Sequence, residues 1–156
     1  MVYSIGDPTE TSFSTLALKT GFNLEEIEKD YPLVKAFDFD SFRKRATIIR
    51  KHKNKIISFV KASIETVLEV STKTISNGKI SELTKTQKKE ILSMVATFSE
   101  QALRVIAITY KDLESKNEYS IDDAEKDLTF VGVCYDARPA TQGGESCYCH
   151  CFQSSH

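Results

Sequence analysis

Residues 34–61 have the sequence VKAFDFDSFRKRATIIRKHKNKIISFVK, and this stretch decides the fold. Three runs of β-branched and aromatic residues within it predict strands at Val34 to Phe39, Ala46 to Arg50 and Lys55 to Lys61. The link at residues 52–54 has only the length of a hairpin connection. Strands joined by such short links pair in antiparallel fashion, so the stretch predicts part of an antiparallel sheet.

Helix signals precede this stretch. Residues 7–10 combine Asp7 as an N-cap, a proline at the first helical position and a glutamate in the place of a capping box. Gly21 ends this first predicted helix. A second short helix begins after Asn23 and stops before Pro32, because a proline disfavours the helical conformation of the residue preceding it.

Helices and strands also alternate after residue 61. Ile64 to Val70 is predicted as a helix, Asn77-Gly78 as a turn, and Thr84 with Gln87 as the capping box that begins the longest helix. Two further strands are predicted at Arg104 to Tyr110 and Leu128 to Cys134. This irregular order predicts an α+β fold, an antiparallel β-sheet flanked by helices in two layers, rather than a doubly wound parallel sheet. Apolar spacing predicts a core of Phe13, Leu16, Val34, Phe37 or Phe39, Ile57, Phe59, Leu92, Val95, Phe98, Ile106 and Phe130.

Length and charge bound the classes of function. With 156 residues the chain has the size of one domain. Its 21 Lys and Arg residues balance 22 Asp and Glu residues, so no overall field attracts nucleic acid or anionic lipid. No apolar run approaches the ~18 residues of a membrane span, and Met1 is not followed by an apolar signal core. We therefore expect a soluble, intracellular chain.

The four cysteines lie late in the chain, at Cys134, Cys147, Cys149 and Cys151. A disulfide framework distributes its cysteines along a chain, so this clustering favours free thiols in a reducing compartment. Metal-binding cysteine pairs usually have two or more intervening residues, whereas here single residues separate the last three. The sequence therefore predicts no metal site.

Familiar catalytic motifs are missing. The six glycines form neither a Walker phosphate loop nor a dinucleotide fingerprint. None of the histidines, at positions 52, 150 and 156, stands near a Ser or Cys nucleophile with a third orienting group. No catalytic residue is assigned.

Several ordered segments resemble a known family. Residues 6–11 (GDPTET), 39–45 (FDSFRKR), 60–63 (VKAS) and 102–107 (ALRVIA) have the order and approximate spacing of the nucleotide-binding domain of P-type cation-transporting ATPases. Residues 127–133 (DLTFVGV) and 136–139 (DARP) resemble the point where that domain returns to the phosphorylation domain. The resemblance covers residues 5 to about 141. It is greatest to the type II pumps, which include calcium pumps and fungal-type sodium pumps.

This resemblance implies that Glu10, Phe39, Lys44, Lys61 and Arg104 line an ATP site. An exposed Phe39 ring would stack on adenine, whereas residue type alone favours a core phenylalanine. Glu10 would accept a hydrogen bond from the adenine amino group, or act only as a helix cap. Lys61 would lie at the pocket rim or simply at a strand edge, and Arg104 would bind phosphate or pair with a surface carboxylate. Lys44 is a further phosphate candidate, although it lies in a charge run that is usually solvated.

The family also implies the setting of the domain. ATP would be the cofactor, with magnesium bound elsewhere in a parent protein whose phosphorylation and membrane domains would be partners. The chain itself would lie in the cytoplasm without direct membrane contact or a nucleic-acid partner, while its parent is membrane-bound and hydrolyses ATP. The Asp-Lys-Thr-Gly-Thr phosphorylation motif is absent, so we expect the chain alone to neither autophosphorylate nor transport ions.

Two of the departures from the family pattern bear on the pocket shape and on the domain bounds. Ala62 stands where the family has glycine, and the added methyl group puts the pocket shape in doubt. Residues 142–156 resemble nothing in the family, and shifting the codon frame of Glu145 to Gln153 yields an apolar segment of the kind that the family pattern expects. We therefore expect residues 1–141 to be a partial N domain truncated at both ends. Residues 142–156 would be an aberrant, frameshifted and disordered tail.

Two alternatives to ATP binding stay open at this stage. Seven Lys or Arg residues lie between Arg43 and Lys55 with Phe42 among them, and such a hairpin suits a nucleic-acid backbone. The neutral net charge and the lack of an RNA-binding motif argue against this alternative. The third possibility is a truncated fragment without any activity.

Overall fold

The structure is a computed structural model that describes residues 17–101, 103–136 and 147–151. Its helices are α1 (Leu24–Asp30), α2 (Ile64–Val70), α3 (Lys85–Glu100) and α4 (Ile121–Glu125). Its strands are β1 (Leu33–Asp40), β2 (Arg45–His52), β3 (Lys55–Ala62), β4 (Ser71–Ser76), β5 (Lys79–Glu82), β6 (Arg104–Leu113), β7 (Leu128–Asp136) and β8 (Cys147–Cys151). None of these helices has the length and apolar composition needed to cross a membrane.

The eight strands form one mixed sheet in the order β1-β2-β3-β6-β7-β4-β5. Every neighbouring pair is antiparallel except β4 and β7, which run parallel. Strand β8 pairs with the second half of β7, whereas β4 pairs with its first half. The predicted α+β fold, with a largely antiparallel sheet and flanking helices, is confirmed.

The local signals in the sequence act as predicted. The Asn23 side chain accepts a hydrogen bond from the Glu25 N–H and caps α1. Thr84 and Gln87 form the reciprocal capping box that begins α3. Gly78 takes a positive φ after Asn77 does the same, which matches the twist required at the two-residue turn between β4 and β5.

One face of the sheet is buried beneath α2 and α3. The main core is formed by residues from both helices, from strands β3, β6 and β7, and from the link between β5 and α3: Val60, Ala62, Ile64, Val67, Leu68, Leu83, Ile91, Val95, Ala107, Leu128, Phe130 and Val133. A smaller cluster lies under α4 and consists of Ile49, Ile56, Tyr119 and Ala124. Side chains alternate between the faces of a strand, so the intervening residues of β2 and β3 belong to the opposite, open face.

The sequence-based core was right in part. Val95 and Phe130 are buried, but Val34 and Leu92 are exposed. Of the alternatives Phe37 and Phe39, Phe37 packs against the smaller cluster and Phe39 is exposed. Edge position explains the exposure of Val34, since β1 has a neighbouring strand on one side only within the described part of the chain. The remaining predicted core residues in the described chain are half-buried: Phe37, Ile57, Phe59, Phe98 and Ile106. Phe13 and Leu16 lie outside the described residues.

Two expectations about the C-terminal region are wrong where the structure describes it. Strand β8 pairs with β7, so disorder does not extend through residues 147–151. Cys149 lies opposite Cys134 with 4.1 Å between their Cα atoms, and the two form a disulfide bond. The sequence argument failed because strand pairing, rather than spacing along the chain, brings these cysteines together. The domain boundary near residue 141 lies outside the described residues and stays a prediction.

Candidate functional site

The open face of the sheet carries a cavity of about 540 Å³ between β1, β2, β3 and β6. Val60 and Ala62 belong to the core, so the intervening Lys61 belongs to the cavity face of β3. The lining residues are Ala36, Phe37, Asp38, Phe39, Ala46, Thr47, Ile48, Arg50, Phe59, Val60, Lys61 and Ile108. Its walls are thus mostly apolar, with a few charged groups, which is the usual character of a small-molecule site.

Phe39 and Lys61 are brought together at this cavity from β1 and β3. Phe39 is 64% exposed and lies within an irregularity in the pairing of β1 with β2, between Phe37 and Asp40. Such a bulge re-aims the side chains beside it. Lys61 is half-buried and pairs with Ala46 on one side and Ile108 on the other. An accessible ring and a nearby cation can hold a flat, polar ligand.

Lys44 lies in the turn between β1 and β2, which are two of the strands around the cavity, but it is not one of the lining residues. It is exposed and has a φ of 52°, in the left-handed region. Its N–H donates to the Asp40 carbonyl over 2.7 Å, and its own carbonyl accepts from the Ser63 N–H over 3.2 Å. The backbone at Lys44 is therefore anchored while its side chain reaches solvent.

Asp40 organises the same turn. Its Oδ1 atom accepts hydrogen bonds from the N–H groups of Phe42, at 3.0 Å, and Arg43, at 2.9 Å. The hydrogen bond from the Arg43 N–H is the main cause that lowers the pKa of Asp40 below its usual value. The ionised carboxylate thus stabilises this turn conformation at neutral pH.

The other two predicted site residues are not in the cavity lining. Arg104 is the exposed first residue of β6, four positions before Ile108. This spacing puts both on one face of β6, with Cα atoms roughly 14 Å apart at the rise of an antiparallel strand. Glu10 lies outside the described residues.

Sequence reasoning missed a buried carboxylate beside the β1–β2 turn. Glu125 of α4 is 3% exposed, forms an ion pair with Arg43 and accepts a hydrogen bond of 2.8 Å from the Thr47 hydroxyl. Arg45 Nε lies 3.5 Å from the other carboxylate oxygen. No local signal distinguishes Glu125 from its acidic neighbours, because its partners are about 80 residues away in the sequence.

The same contacts weaken the nucleic-acid alternative. Arg43 and Arg45 turn to Glu125, and Arg50 donates to the Tyr31 carbonyl over 2.7 Å. Lys55 lies 3.5 Å from an Asp112 carboxylate oxygen. Four of the seven basic residues of this hairpin are thus engaged within the chain, which reduces the charge available for a phosphate backbone.

The expectation that the Ala62 methyl group affects the pocket shape does not hold for this cavity. The methyl group is buried in the core with Ala107 and does not line the cavity. The cavity-facing neighbour is Ala46, which pairs with Lys61.

For metals, the described residues contain no cluster of three or more His, Cys, Asp or Glu side chains that could hold an ion.

Comparisons with known proteins agree with this fold. The family model for the cytoplasmic domain N of P-type ATPases matches this chain over residues 2–135. A calcium-transporting ATPase of Bacillus subtilis is 33% identical over 129 residues, which are 82% of this chain and 14% of that protein. Calcium-transporting ATPase 1 of Lactococcus lactis is 30% identical over 130 residues, 83% of this chain and 15% of that protein.

The match extends to pumps of another kind. A sodium/potassium exporting P-type ATPase of Schizosaccharomyces pombe is 27% identical over 151 residues, 93% of this chain and 14% of that protein. The chain thus spans about one seventh of the length of these relatives. The family match covers most of the chain, and a sheet flanked by helices is the fold that the resemblance predicted. The chain therefore belongs to the family of P-type ATPase cytoplasmic N domains.

Proposed function

We propose that this chain binds ATP at the cavity on the open face of its sheet, as the nucleotide-binding part of a calcium-pump-like P-type ATPase. The observation that carries the proposal is the position of Phe39 and Lys61. These residues come from strands separated by β2, yet both line one cavity. Their chemistry suits adenine, which has a flat π-face for the ring and acceptor nitrogens for the ammonium.

The base supplies most of the binding energy. Phe39 stacks on adenine, Ile48 and Phe59 of the cavity lining contact its edge, and Lys61 closes the rim. Glu10 accepts a hydrogen bond from the amino group in this proposal. One stacked ring with two or three polar contacts leaves a dissociation constant on the order of a millimolar, or ~4 kcal/mol, once the entropy of association is subtracted.

The phosphates lie along the open face towards Arg104. No glycine-rich phosphate loop is present in the sequence, so cationic side chains have to provide these contacts. Lys44 at the β1–β2 turn is exposed and available for one phosphate. The planar fork of Arg104 holds a phosphate beyond the first. Magnesium belongs to the parent protein, so binding here does not require it.

The proposal extends to the parent protein through its relatives. Relatives named calcium-transporting ATPases support calcium as the ion that the parent transports. The nucleotide site would serve a phosphorylation domain and a membrane domain in the same protein. Phosphoryl transfer needs an in-line nucleophile and a metal, so the chain alone binds ATP without hydrolysing it.

The experiment is an ATP titration of the chain followed by NMR, with Phe39→Ala as the variant. Loss of one aromatic stack is expected to cost roughly 1 to 3 kcal/mol and so to abolish detectable binding. Phe42→Ala is the matched control, because Phe42 is 96% exposed, lies three residues away and does not line the cavity. Unchanged ATP binding by folded Phe39→Ala would show that the site is elsewhere.

A second variant tests the phosphate end. Arg104→Ala is expected to weaken ATP and ADP more than AMP, because its proposed contact is a phosphate beyond the first. The same titration measures all three nucleotides. Equal losses for AMP and ATP would remove Arg104 from this role.

A further inference from the structure

A buried carboxylate outside the cavity joins α4 to the β1–β2 hairpin. The Glu125 side chain is 4% exposed, and Glu125 is not among the described residues that line the cavity. Arg43 forms an ion pair with it, and the Thr47 hydroxyl donates a hydrogen bond to it. Arg45 Nε lies 3.5 Å from its other carboxylate oxygen. A buried charge is costly unless it is paired and hydrogen-bonded, and these partners supply both an ion pair and a hydrogen bond.

The guanidinium of Arg43 connects this carboxylate to the part of β1 that carries Phe39. Its Nη1 atom bonds to Glu125, and its Nη2 atom donates to the carbonyl oxygen of Asp38 over 3.2 Å. Asp38 directly precedes Phe39 and lines the cavity. Because a guanidinium is planar and its donors have a fixed geometry, the two bonds together hold the backbone directly before the ring.

The same arginine belongs to the turn that carries Lys44. Its backbone N–H donates to Asp40 Oδ1 over 2.9 Å. Lys44 follows directly, donates to the Asp40 carbonyl and accepts from the Ser63 N–H. Arg43 therefore stands between Asp38, in the cavity wall, and Lys44, at the solvent side of the turn.

We infer that Glu125 is a positioning residue for nucleotide binding. Through Arg43 it sets where the ring of Phe39 and the ammonium of Lys44 stand at the site. This inference rests on the proposed function, since it concerns the same cavity. A carboxylate with a merely structural role contributes to the stability of the fold but leaves the affinity of the folded chain for ATP unchanged. The two roles are therefore separable by experiment.

The test compares three variants of the full chain. Glu125→Gln keeps the shape of the side chain but removes its charge, and Arg43→Lys keeps the positive charge but replaces the fork by a single ammonium. Val95→Ala is the control, because it opens the core beneath α3 and leaves the β1–β2 turn untouched. ATP affinity and the backbone amide signals of Phe42 and Arg43 are measured by NMR, and melting temperature is measured in parallel.

Glu125→Gln and Arg43→Lys are each expected to weaken ATP binding by about threefold to tenfold, the effect of one lost hydrogen bond. In both, the turn amides shift before any nucleotide is added. Val95→Ala lowers the melting temperature and keeps the affinity of the wild type. Lowered melting temperatures with wild-type affinity and unshifted turn amides in the first two variants would overturn the positioning role alone. Absence of ATP binding by the wild type would overturn the proposed function, and this role with it.

Discussion

Replacement of alanine by glycine at two positions on neighbouring strands, 46 in β2 and 62 in β3, tests the proposal that the nucleotide binds on the open face of the sheet. Ala62→Gly removes a methyl group from the core, where Ala62 is 5% exposed. Ala46→Gly removes a methyl group from the cavity lining, next to Lys61 in the neighbouring strand. The chemical change is the same, but the two methyl groups lie on opposite faces of the sheet.

The two magnitudes follow from burial. Ala62→Gly loses about 0.8 kcal/mol of methyl burial and roughly 0.5 to 1 kcal/mol through the added backbone freedom of glycine, in all ~1 to 2 kcal/mol. It is expected to leave ATP affinity unchanged. Ala46 is half-buried, so Ala46→Gly loses mainly the backbone contribution to stability. Ala46→Gly is expected to lower the affinity for ATP by up to about fourfold, which corresponds to the loss of one methyl contact with the ligand.

The assay is urea unfolding, followed by ATP titration of each variant under conditions where it is fully folded. The slope of the unfolding free energy against urea should stay constant, so that the shift of the midpoint reports stability alone. A loss of ATP affinity in Ala62→Gly that exceeds the loss in Ala46→Gly would refute the assignment of the site to the open face. A gain in stability in Ala62→Gly would refute the packing described for its methyl group.

Two further predictions concern the β1–β2 turn and the last strand. The pKa of Asp40 is lowered in the folded chain. The contribution of its carboxylate to stability is therefore present above the pKa of the unfolded chain and is lost as the pH falls through the pKa of the folded chain. An acid titration should therefore move the Phe42 and Arg43 amide signals together, and Asp40→Asn should remove that joint transition. Cys149→Ser breaks the bond to Cys134 and is expected to speed hydrogen exchange in the half of β7 that pairs with β8, with the amides of α3 unaffected. Equal protection of β7 in the variant would mean that strand pairing alone holds β8.

Elements with strong local signals could be predicted from the sequence. The bounds predicted for α2 are those of the structure, and both Asn23 and Thr84 cap helices as their positions indicated. Strands β1 to β3 differ from their predicted ranges by at most two residues at either end. In each case the information lies within a few residues: a cap, an apolar run or a turn.

The missed elements depend on distant partners or on weak signals. Strand β4 has the polar sequence STKTIS, and its parallel pairing with β7 involves residues more than 50 positions away. Strand β5 is exposed along its whole length, so it shows no alternation of burial. Helix α4 has only five residues, although Ser120 and Asp123 form a capping box that a closer search of the acidic segment would have found.

The candidate site divides in the same way. Phe39, Lys44, Lys61 and Arg104 were proposed from residue motifs, which contain information about chemistry but none about distance. Their neighbours in space, such as Ile108 beside Lys61, follow only from the register of the sheet. Glu125 could not be predicted at all, because only the folded chain brings an acidic residue of α4 to the hairpin.

The contrast between two exposed phenylalanines limits what exposure alone can prove. Phe39 and Phe42 both contradict the expectation that residue type sets for a large apolar ring, and Phe42 is the more exposed of the two. Only Phe39 lies in the wall of a cavity that also contains a cation. The backbone before Phe39 is held by Arg43, which is itself bound to a buried carboxylate. A ring that is exposed and yet attached to a fixed backbone loses little conformational freedom on binding a ligand, and this is the physical reason that supports the proposal of a nucleotide site at Phe39.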